Sequence, residues 1–229
     1  MAAIATIQIN VNEKLFLRNP EHTELGRNII SNSIILIEKI GFENFTFKKL
    51  AKEINSTEAS IYRYFENKHK LLIYLVSWYW SWMEYQVDFQ TNNIDDPVKK
   101  LNIVIDILCQ ASRYDPQFLH INEDALHRIV VDESAKAYLT KEVDADNKEG
   151  FFLSYKSLCR KIAGFVTEIA PDFKYPKALM STIVEASHHQ KFFSEHLPSL
   201  TEVSESEGGT GEVSEYLRYL IFKLLKDQT

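Results

Sequence analysis

The side chains with the clearest chemical purpose lie close together between Thr57 and Lys68. Thr57, Ser60 and Tyr62 carry hydroxyl groups, while Arg63 and Lys68 carry positive charges. Hydroxyl groups and cations are the donors that proteins use to bind the phosphate oxygens and base edges of DNA. The segment therefore indicates contact with a nucleic acid duplex.

Presenting these side chains requires helices. Thr46 can cap a first helix, because its hydroxyl can accept from the free amides of the first turn, and Phe45 and Leu50 occupy the positions of a hydrophobic staple. Asn55 is able to adopt the left-handed conformation that ends a helix. The sequence therefore predicts a short helix followed by a sharp turn.

A second helix is predicted directly after this turn, with Ser56 or Thr57 as its cap. Ile61 and Phe65 are four residues apart and should face the core. This spacing directs the remaining side chains toward solvent, namely Thr57, Ser60, Tyr62, Arg63 and Tyr64. Together the two helices form a helix-turn-helix pattern.

The same residues resemble the TetR (tetracycline-repressor-like) family of bacterial transcriptional regulators. In that family the recognition helix ends in a Tyr-x-x-Phe signature, followed by a capped helix with an early lysine. Here Tyr62 and Phe65 form the signature, Asn67 is the cap and Lys68 is the lysine. The resemblance covers roughly Glu24 to Leu75.

The chain departs from the family pattern at two positions and matches it at the DNA-contacting ones. Asn55 stands where the family usually has glycine, and Ser56 where it usually has an apolar residue. The resemblance implies contacts to the DNA backbone from Thr46, Tyr62, Tyr64 and Lys68, and positions near base edges for Thr57, Glu58 and Ser60. Further contacts with phosphate could come from Lys48, Lys49 and Lys52, and Arg63 is a further candidate for contact with DNA.

The resemblance also implies an architecture and a function. We expect an all-α protein, with an N-terminal three-helix helix-turn-helix DNA-binding head at residues 22–75 joined to a larger helical ligand-binding and dimerisation body at residues 76–229. Such a protein would act as a homodimeric repressor, released from a double-stranded DNA operator by a small-molecule effector. Two alternatives remain: a regulator of the same fold that responds to a protein partner or to no effector, and an all-helical enzyme.

Periodicity predicts several long helices. The first runs from near Thr23 to Ile40, with Gly41 as its left-handed stop, and residues 1 to about 21 form an arm whose Arg18 could approach DNA. The resemblance places a four-helix dimer interface on the last two predicted helices, Lys177 to His196 and Val213 to Lys226, and their apolar stripes exceed what one body needs.

Aromatic residues are dense in the predicted fourth helix, which runs from Lys68 to about Phe89, and they recur in the body. Together with His127 or Arg128 as a polar anchor, they could line a mainly apolar effector pocket. The residues in question are Trp78, Trp82, Tyr85, Phe118, Phe151, Phe152 and Tyr155. The alternative is that they form a solid aromatic core.

Metal binding and catalysis receive little support from the sequence. His120, Glu123, Asp124 and His127 fall on one helical stripe, which could hold a divalent ion but also describes an ordinary solvated face. No glycine-rich phosphate loop or nucleophile elbow occurs in the sequence, and we expect no cofactor.

Charge is distributed unevenly along the 229 residues, whose net charge is -6. Residues 1–75 carry 10 basic and 8 acidic side chains, whereas the remaining residues carry 16 basic and 24 acidic ones. A mildly basic head on an acidic body fits binding to one stripe of phosphates. The sequence shows neither a signal peptide nor an apolar run long enough for a membrane span, so we expect a cytoplasmic protein with no membrane contact. Its two cysteines lack metal-ligand spacing and are expected to be buried thiols.

Overall fold

The structure is a computed structural model, and it describes residues 9–109, 118, 120–203 and 210–226. Within these ranges the chain forms eleven α-helices and three short 3-10 helices, and no strand occurs there. The predicted all-α class is confirmed. None of the helices in the described ranges is long and apolar enough to span a bilayer.

The N-terminal head consists of helices α1 (Glu24–Asn44), α2 (Phe47–Glu53) and α3 (Glu58–Tyr62). Thr23 caps α1, because its Oγ1 accepts a hydrogen bond of 3.0 Å from the Gly26 amide. Gly41 has a φ of 75°, as expected for a helix stop, but the chain resumes its helical path to Asn44. The predicted end of α1 at Ile40 is therefore a kink rather than a terminus.

Helix α1 is amphipathic, and its apolar stripe is buried. Ile30, Ile34 and Ile37 are each 1% exposed or less, and α1 packs along α6. Full burial of each such side chain is worth about 1.5–3 kcal/mol. The predicted core-facing stripe of the first helix is confirmed at these three positions.

Eight further helices follow the head. They are α4 (Lys68–Thr91), α5 (Pro97–Cys109), α6 (Glu123–Glu133), α7 (Ala135–Tyr138), α8 (Val143–Lys148), α9 (Leu153–Ile169), α10 (Pro176–His196) and α11 (Thr210–Lys226).

The boundaries around α6 to α9 differ from the sequence prediction. The sequence predicts a helix from Pro116 to about Val131, with Asp115 as its cap. Pro116 lies outside the described residues, and α6 begins at Glu123 with Asn122 as its cap. The sequence pattern also predicts helices over 134–143 and 147–169. In the structure α7 ends at Tyr138 and α8 begins at Val143. Gly150, with a φ of 82°, separates α8 from α9, which begins at Leu153. Periodicity alone does not reveal such short breaks.

Contacts between Cα atoms divide the chain into two compact units. The first unit contains Met1–Trp82 and Ser112–Ser154, and the second contains Met83–Ala111 and Tyr155–Thr229. In the second unit, α5, α10 and α11 pack against one another. The functional division predicted between residues 75 and 76 remains a prediction.

Candidate DNA-binding interface

The start of α2 has the predicted capping geometry. Thr46 Oγ1 accepts a hydrogen bond of 3.2 Å from the Lys49 amide, and Phe45 and Leu50 are fully buried on either side of the cap. The cap and the staple fix where α2 begins. As a result, Lys48 and Lys49 lie on the solvent-exposed side of the helix.

The turn after α2 depends on Asn55. Its φ is 49°, and no other non-glycine residue in the described ranges has a positive φ. The Ser56 amide closes the turn by donating to the Ala51 carbonyl oxygen at 2.8 Å. Asparagine thus serves in place of glycine as the left-handed residue, as predicted.

Helix α3 is capped by Thr57, whose Oγ1 accepts from the Ser60 amide at 3.2 Å and also lies 2.8 Å from Ser60 Oγ. Ile61 and Phe65 are fully buried and anchor the helix, which confirms the predicted inner face. The outer face carries exposed side chains at Thr57, Tyr62 and Arg63 and half-buried ones at Glu58 and Ser60. Hydroxyl and guanidinium groups on one short helix can contact both phosphates and base edges.

The ring of Tyr62 packs against an aromatic side chain of α2. Its ring meets the ring of Phe47 edge-on, with 5.0 Å between centroids, while 47% of the side chain remains exposed. Burying part of the ring restricts its rotamers and leaves the phenol free to donate. This arrangement suits a contact with the DNA backbone.

Tyr64 is a correction to the sequence analysis, which placed it on the solvent-facing side. It is only 2% exposed, and its hydroxyl lies 2.8 Å from Thr23 Oγ1. The Tyr64 carbonyl oxygen also accepts from the Leu17 amide at 2.8 Å. Its partners are distant in sequence, so local spacing could not reveal that Tyr64 joins the core.

Lys68 is engaged with protein groups rather than with solvent. Its ammonium group donates to the carbonyl oxygens of Phe42, Glu43 and Phe45 at 3.0, 3.2 and 3.2 Å. These three bonds occupy all three protons of the ammonium group. A phosphate contact from Lys68 remains a prediction, and it would require at least one of these bonds to open.

The predicted pocket aromatics of the first unit contact one another. The ring of Trp78 meets Phe118 edge-on at 5.3 Å and stacks on Trp82 at 6.4 Å. The indole Nε1 of Trp82 is buried without a hydrogen-bond partner. The structure therefore brings these three residues together, and their role toward a ligand remains a prediction.

The other predicted pocket residues have separate neighbours. His127 Nδ1 lies 2.8 Å from the hydroxyl of Tyr79, and the ring of Phe152 packs against Tyr138. Burial raises the pKa of Tyr79 well above its usual range, so its hydroxyl stays protonated. In the second unit, Tyr85 lies beside Phe89, and the Tyr155 hydroxyl donates to Glu185 at 2.8 Å.

A groove between α9 and α10 was missed by the sequence analysis, apart from Tyr155. It has a volume of about 390 Å³ and is lined by Tyr155, Lys156, Cys159, Arg160, Lys177, Ala178 and Ser181. Three of these residues are cations, although the part of the chain beyond residue 75 is acidic. The i, i+4 spacing of Lys156 and Arg160 was the available signal, since it places two like charges on one face of a helix.

Two of the candidate metal ligands, His120 and His127, have protein partners. His120 Nε2 lies 2.9 Å from the Glu21 carboxylate, and His127 faces Tyr79. Among the described residues, no group of three or more histidine, cysteine or acidic side chains is arranged to hold an ion.

The cap, turn and recognition helix together define a helix-turn-helix DNA-binding domain, and the comparisons with known proteins agree. The family model "Bacterial regulatory proteins, tetR family" matches residues 29–75. These residues are a DNA-binding domain of the tetR family, which confirms the resemblance seen in the sequence. No curated protein matches the chain.

Solved structures share the fold at low sequence identity. The structure of AibR in complex with isovaleryl coenzyme A and operator DNA has 17% identity and a TM-score of 0.56, covering 82% of this chain and 97% of that one. A structure described as the molecular basis for control of antibiotic production by a bacterial hormone has 18% identity and a TM-score of 0.59, covering 89% and 98%. The ketosteroid transcriptional regulator KstR2 of Mycobacterium tuberculosis has 11% identity and a TM-score of 0.54, covering 95% and 97%. These matches extend the fold assignment beyond the head.

Proposed function

We propose that the protein is a sequence-specific transcriptional repressor that binds a DNA operator as a homodimer and releases it when a small molecule binds the body. The observation that carries this proposal is the outer face of α3, where Thr57, Tyr62 and Arg63 are exposed on a helix whose inner face is anchored. A recognition helix of this kind reads the major groove from its N-terminal side.

Within the head, different residues are assigned different tasks. Thr46, Lys48, Tyr62 and Arg63 would contact phosphates, which set the position of the domain on the duplex. Thr57, Glu58 and Ser60 lie at the N-terminal end of α3 and would face base edges. Substitution of Ser60 should therefore change sequence preference more than overall affinity.

The test begins with selection of duplexes from a random library by the full chain, followed by fluorescence anisotropy at several salt concentrations. Arg63→Gln should weaken binding several-fold and lower the slope of log affinity against log salt by about one unit, because one phosphate contact is lost. Lys148→Gln is the matched control, since it removes one exposed positive charge from α8. Failure to enrich any sequence would overturn the proposal.

Dimerisation is proposed through α10 and α11. On α11, Leu217, Ile221 and Leu225 are buried within the subunit, whereas Tyr219 and Leu224 are 70% and 41% exposed. A helix with apolar residues on both sides needs a second partner. A two-fold dimer would present two recognition helices to operator half-sites one helical turn of DNA apart or a multiple of it.

The effector is proposed to be anionic, because Lys156, Arg160 and Lys177 line the groove between α9 and α10. AibR, solved with isovaleryl coenzyme A and operator DNA, is a precedent for an anionic ligand and DNA on one such fold. An apolar effector beside Trp82 is the runner-up. Native mass spectrometry of the purified protein separates the two: a retained anion should be lost in Arg160→Gln/Lys177→Gln and kept in Lys99→Gln.

Two other readings make different predictions. A regulator of the same fold that responds to a protein partner or to no effector would bind DNA but retain no small molecule. We propose a regulator rather than an enzyme, because residues 29–75 match a family of DNA-binding regulators. An all-helical enzyme would enrich no duplex in the selection.

A further inference from the structure

The N-terminal strap, residues 9–22, lies across the first unit and contacts several parts of it. At one end, Asn12 Nδ2 donates to the Glu149 carbonyl oxygen at 2.8 Å, and Lys14 Nζ lies 2.7 Å from the Glu149 carboxylate. Glu149 lies in the turn between α8 and α9, directly before Gly150. The strap is also held to α4, where Ser81 Oγ donates to the Asn10 carbonyl oxygen at 3.1 Å.

At its other end the strap meets the residues that follow the recognition helix. The Leu17 amide donates to the Tyr64 carbonyl oxygen at 2.8 Å, and the Arg18 guanidinium lies 5.5 Å from the centre of the Tyr64 ring. The Tyr64 hydroxyl is held by Thr23 Oγ1 at 2.8 Å. Tyr64 is thus fixed on both its backbone and its side chain by residues 17–23.

Between the two ends the strap is anchored in the core. Leu15 is 1% exposed, the ring of Phe16 meets Tyr74 edge-on at 6.1 Å, and Pro20 is buried. A segment with a buried centre and bonded ends cannot shift at one end without straining the other, because packed interiors deform little.

Helix α3 needs such support. It has only five residues, and an isolated helix of this length is far below the size at which helices are stable in water. The turn that follows α3 also has carbonyl groups that require partners, and the Leu17 amide supplies one for the carbonyl of Tyr64.

We propose that the N-terminal strap is a positioning element for the recognition helix, and that it links the turn between α8 and α9 to the end of α3. Asn12 and Lys14 hold the strap at the turn, and Leu17 holds Tyr64. The hydrogen bond from Lys14 lowers the pKa of Glu149, as expected for a carboxylate that stays charged beside the ammonium group. The consequence for operator affinity rests on the proposed function, whereas the positioning itself does not.

Hydrogen exchange on the full chain, without DNA or ligand, tests the proposal. Asn12→Ala/Lys14→Ala removes both side chains at the turn, which is remote in sequence from α3. Exchange of the amides of residues 58–65 should accelerate about fivefold, the loss that follows when an ordered segment gives up roughly one hydrogen bond of support. Asn32→Ala/Lys39→Ala on α1 is the matched control and should leave these amides unchanged.

Global stability, measured by urea unfolding, separates positioning from general weakening. Accelerated exchange confined to the strap and residues 58–65, with an unchanged unfolding midpoint, supports the proposal. Exchange that rises only in residues 9–16, nowhere, or uniformly along the chain overturns it. If the wild-type protein enriches no duplex, the proposed function fails, and the exchange result still decides the role of the strap.

Discussion

The ammonium group of Lys68, the first residue of α4, donates a hydrogen bond of 3.0 Å to the carbonyl oxygen of Phe42 near the end of α1. It also lies 4.6 Å from the centre of the Phe42 ring. The same backbone segment is held from α6, since the buried carboxylate of Glu133 accepts the Phe42 amide at 2.8 Å. The junction between α1 and α2 is thus fixed by a cation on one side and an anion on the other.

Lys68→Ala should lower the free energy of unfolding by about 1–3 kcal/mol, because three carbonyl groups lose a charged donor. Lys52→Ala, at an exposed position on α2, should change it by less than about 0.5 kcal/mol. Urea unfolding measures both. If Lys68 instead serves mainly as a phosphate contact, stability will stay unchanged and the salt slope of DNA binding will fall by about one unit.

Gly26 and Gly164 should respond in opposite directions to alanine. A Cβ at Gly26 would lie 2.2 Å from the Pro20 carbonyl oxygen, whereas nothing lies within 4 Å of one at Gly164 inside α9. Gly26→Ala should destabilise by about 1–3 kcal/mol through overpacking, and Gly164→Ala should stabilise by up to about 1 kcal/mol. Thermal unfolding measures the stability of the two variants. A Gly26→Ala protein as stable as the wild type would show that the strap, residues 9–22, can move away from α1.

Leu224→Asp should convert the proposed dimer into monomers, because it places a charge on an exposed apolar residue of α11. Val98→Asp on α5 is a matched control, since Val98 is 40% exposed and Leu224 is 41% exposed. Sedimentation velocity reports the mass of each variant. A dimer that survives Leu224→Asp would locate the interface away from this side of α11.

The two thiols should react slowly in the folded protein. Burial raises the pKa of Cys109 to about 12 and that of Cys159 to about 11, the latter against a hydrogen bond with Tyr155 that lowers it. At pH 8 a thiol with a pKa of 11 is only about 0.1% thiolate, and thiolate is the reactive form. Reaction with a disulfide reagent should accelerate about tenfold between pH 8 and pH 9, because the thiolate fraction rises tenfold. If the thiols react as fast in the native protein as in urea, they are not buried as described.

The helix-turn-helix was predictable because its determinants are local. The cap at Thr46, the left-handed Asn55 and the inward pair of Ile61 and Phe65 each depend on residues within a few positions. The structure has all of them as expected. A pattern with several mutually consistent local signals specifies its own geometry.

The features that escaped prediction depend on partners far away in the chain. Tyr64 is held by Thr23, and the ammonium group of Lys68 reaches back to carbonyl groups near the end of α1. The strap was expected to be an arm of uncertain order with Arg18 near DNA, yet its anchor at Leu15 is buried. Periodicity cannot show which distant backbone groups need a donor.

The central claim, that two heads of a dimer read one DNA duplex, is tested most directly by hydroxyl-radical footprinting of the selected operator. We expect two protected segments whose centres lie one helical turn apart, about 10 base pairs, or a multiple of that distance. Arg63→Gln should weaken both segments equally, since each head contributes the same contact. A single protected segment, or protection spread evenly along the duplex, would contradict the account.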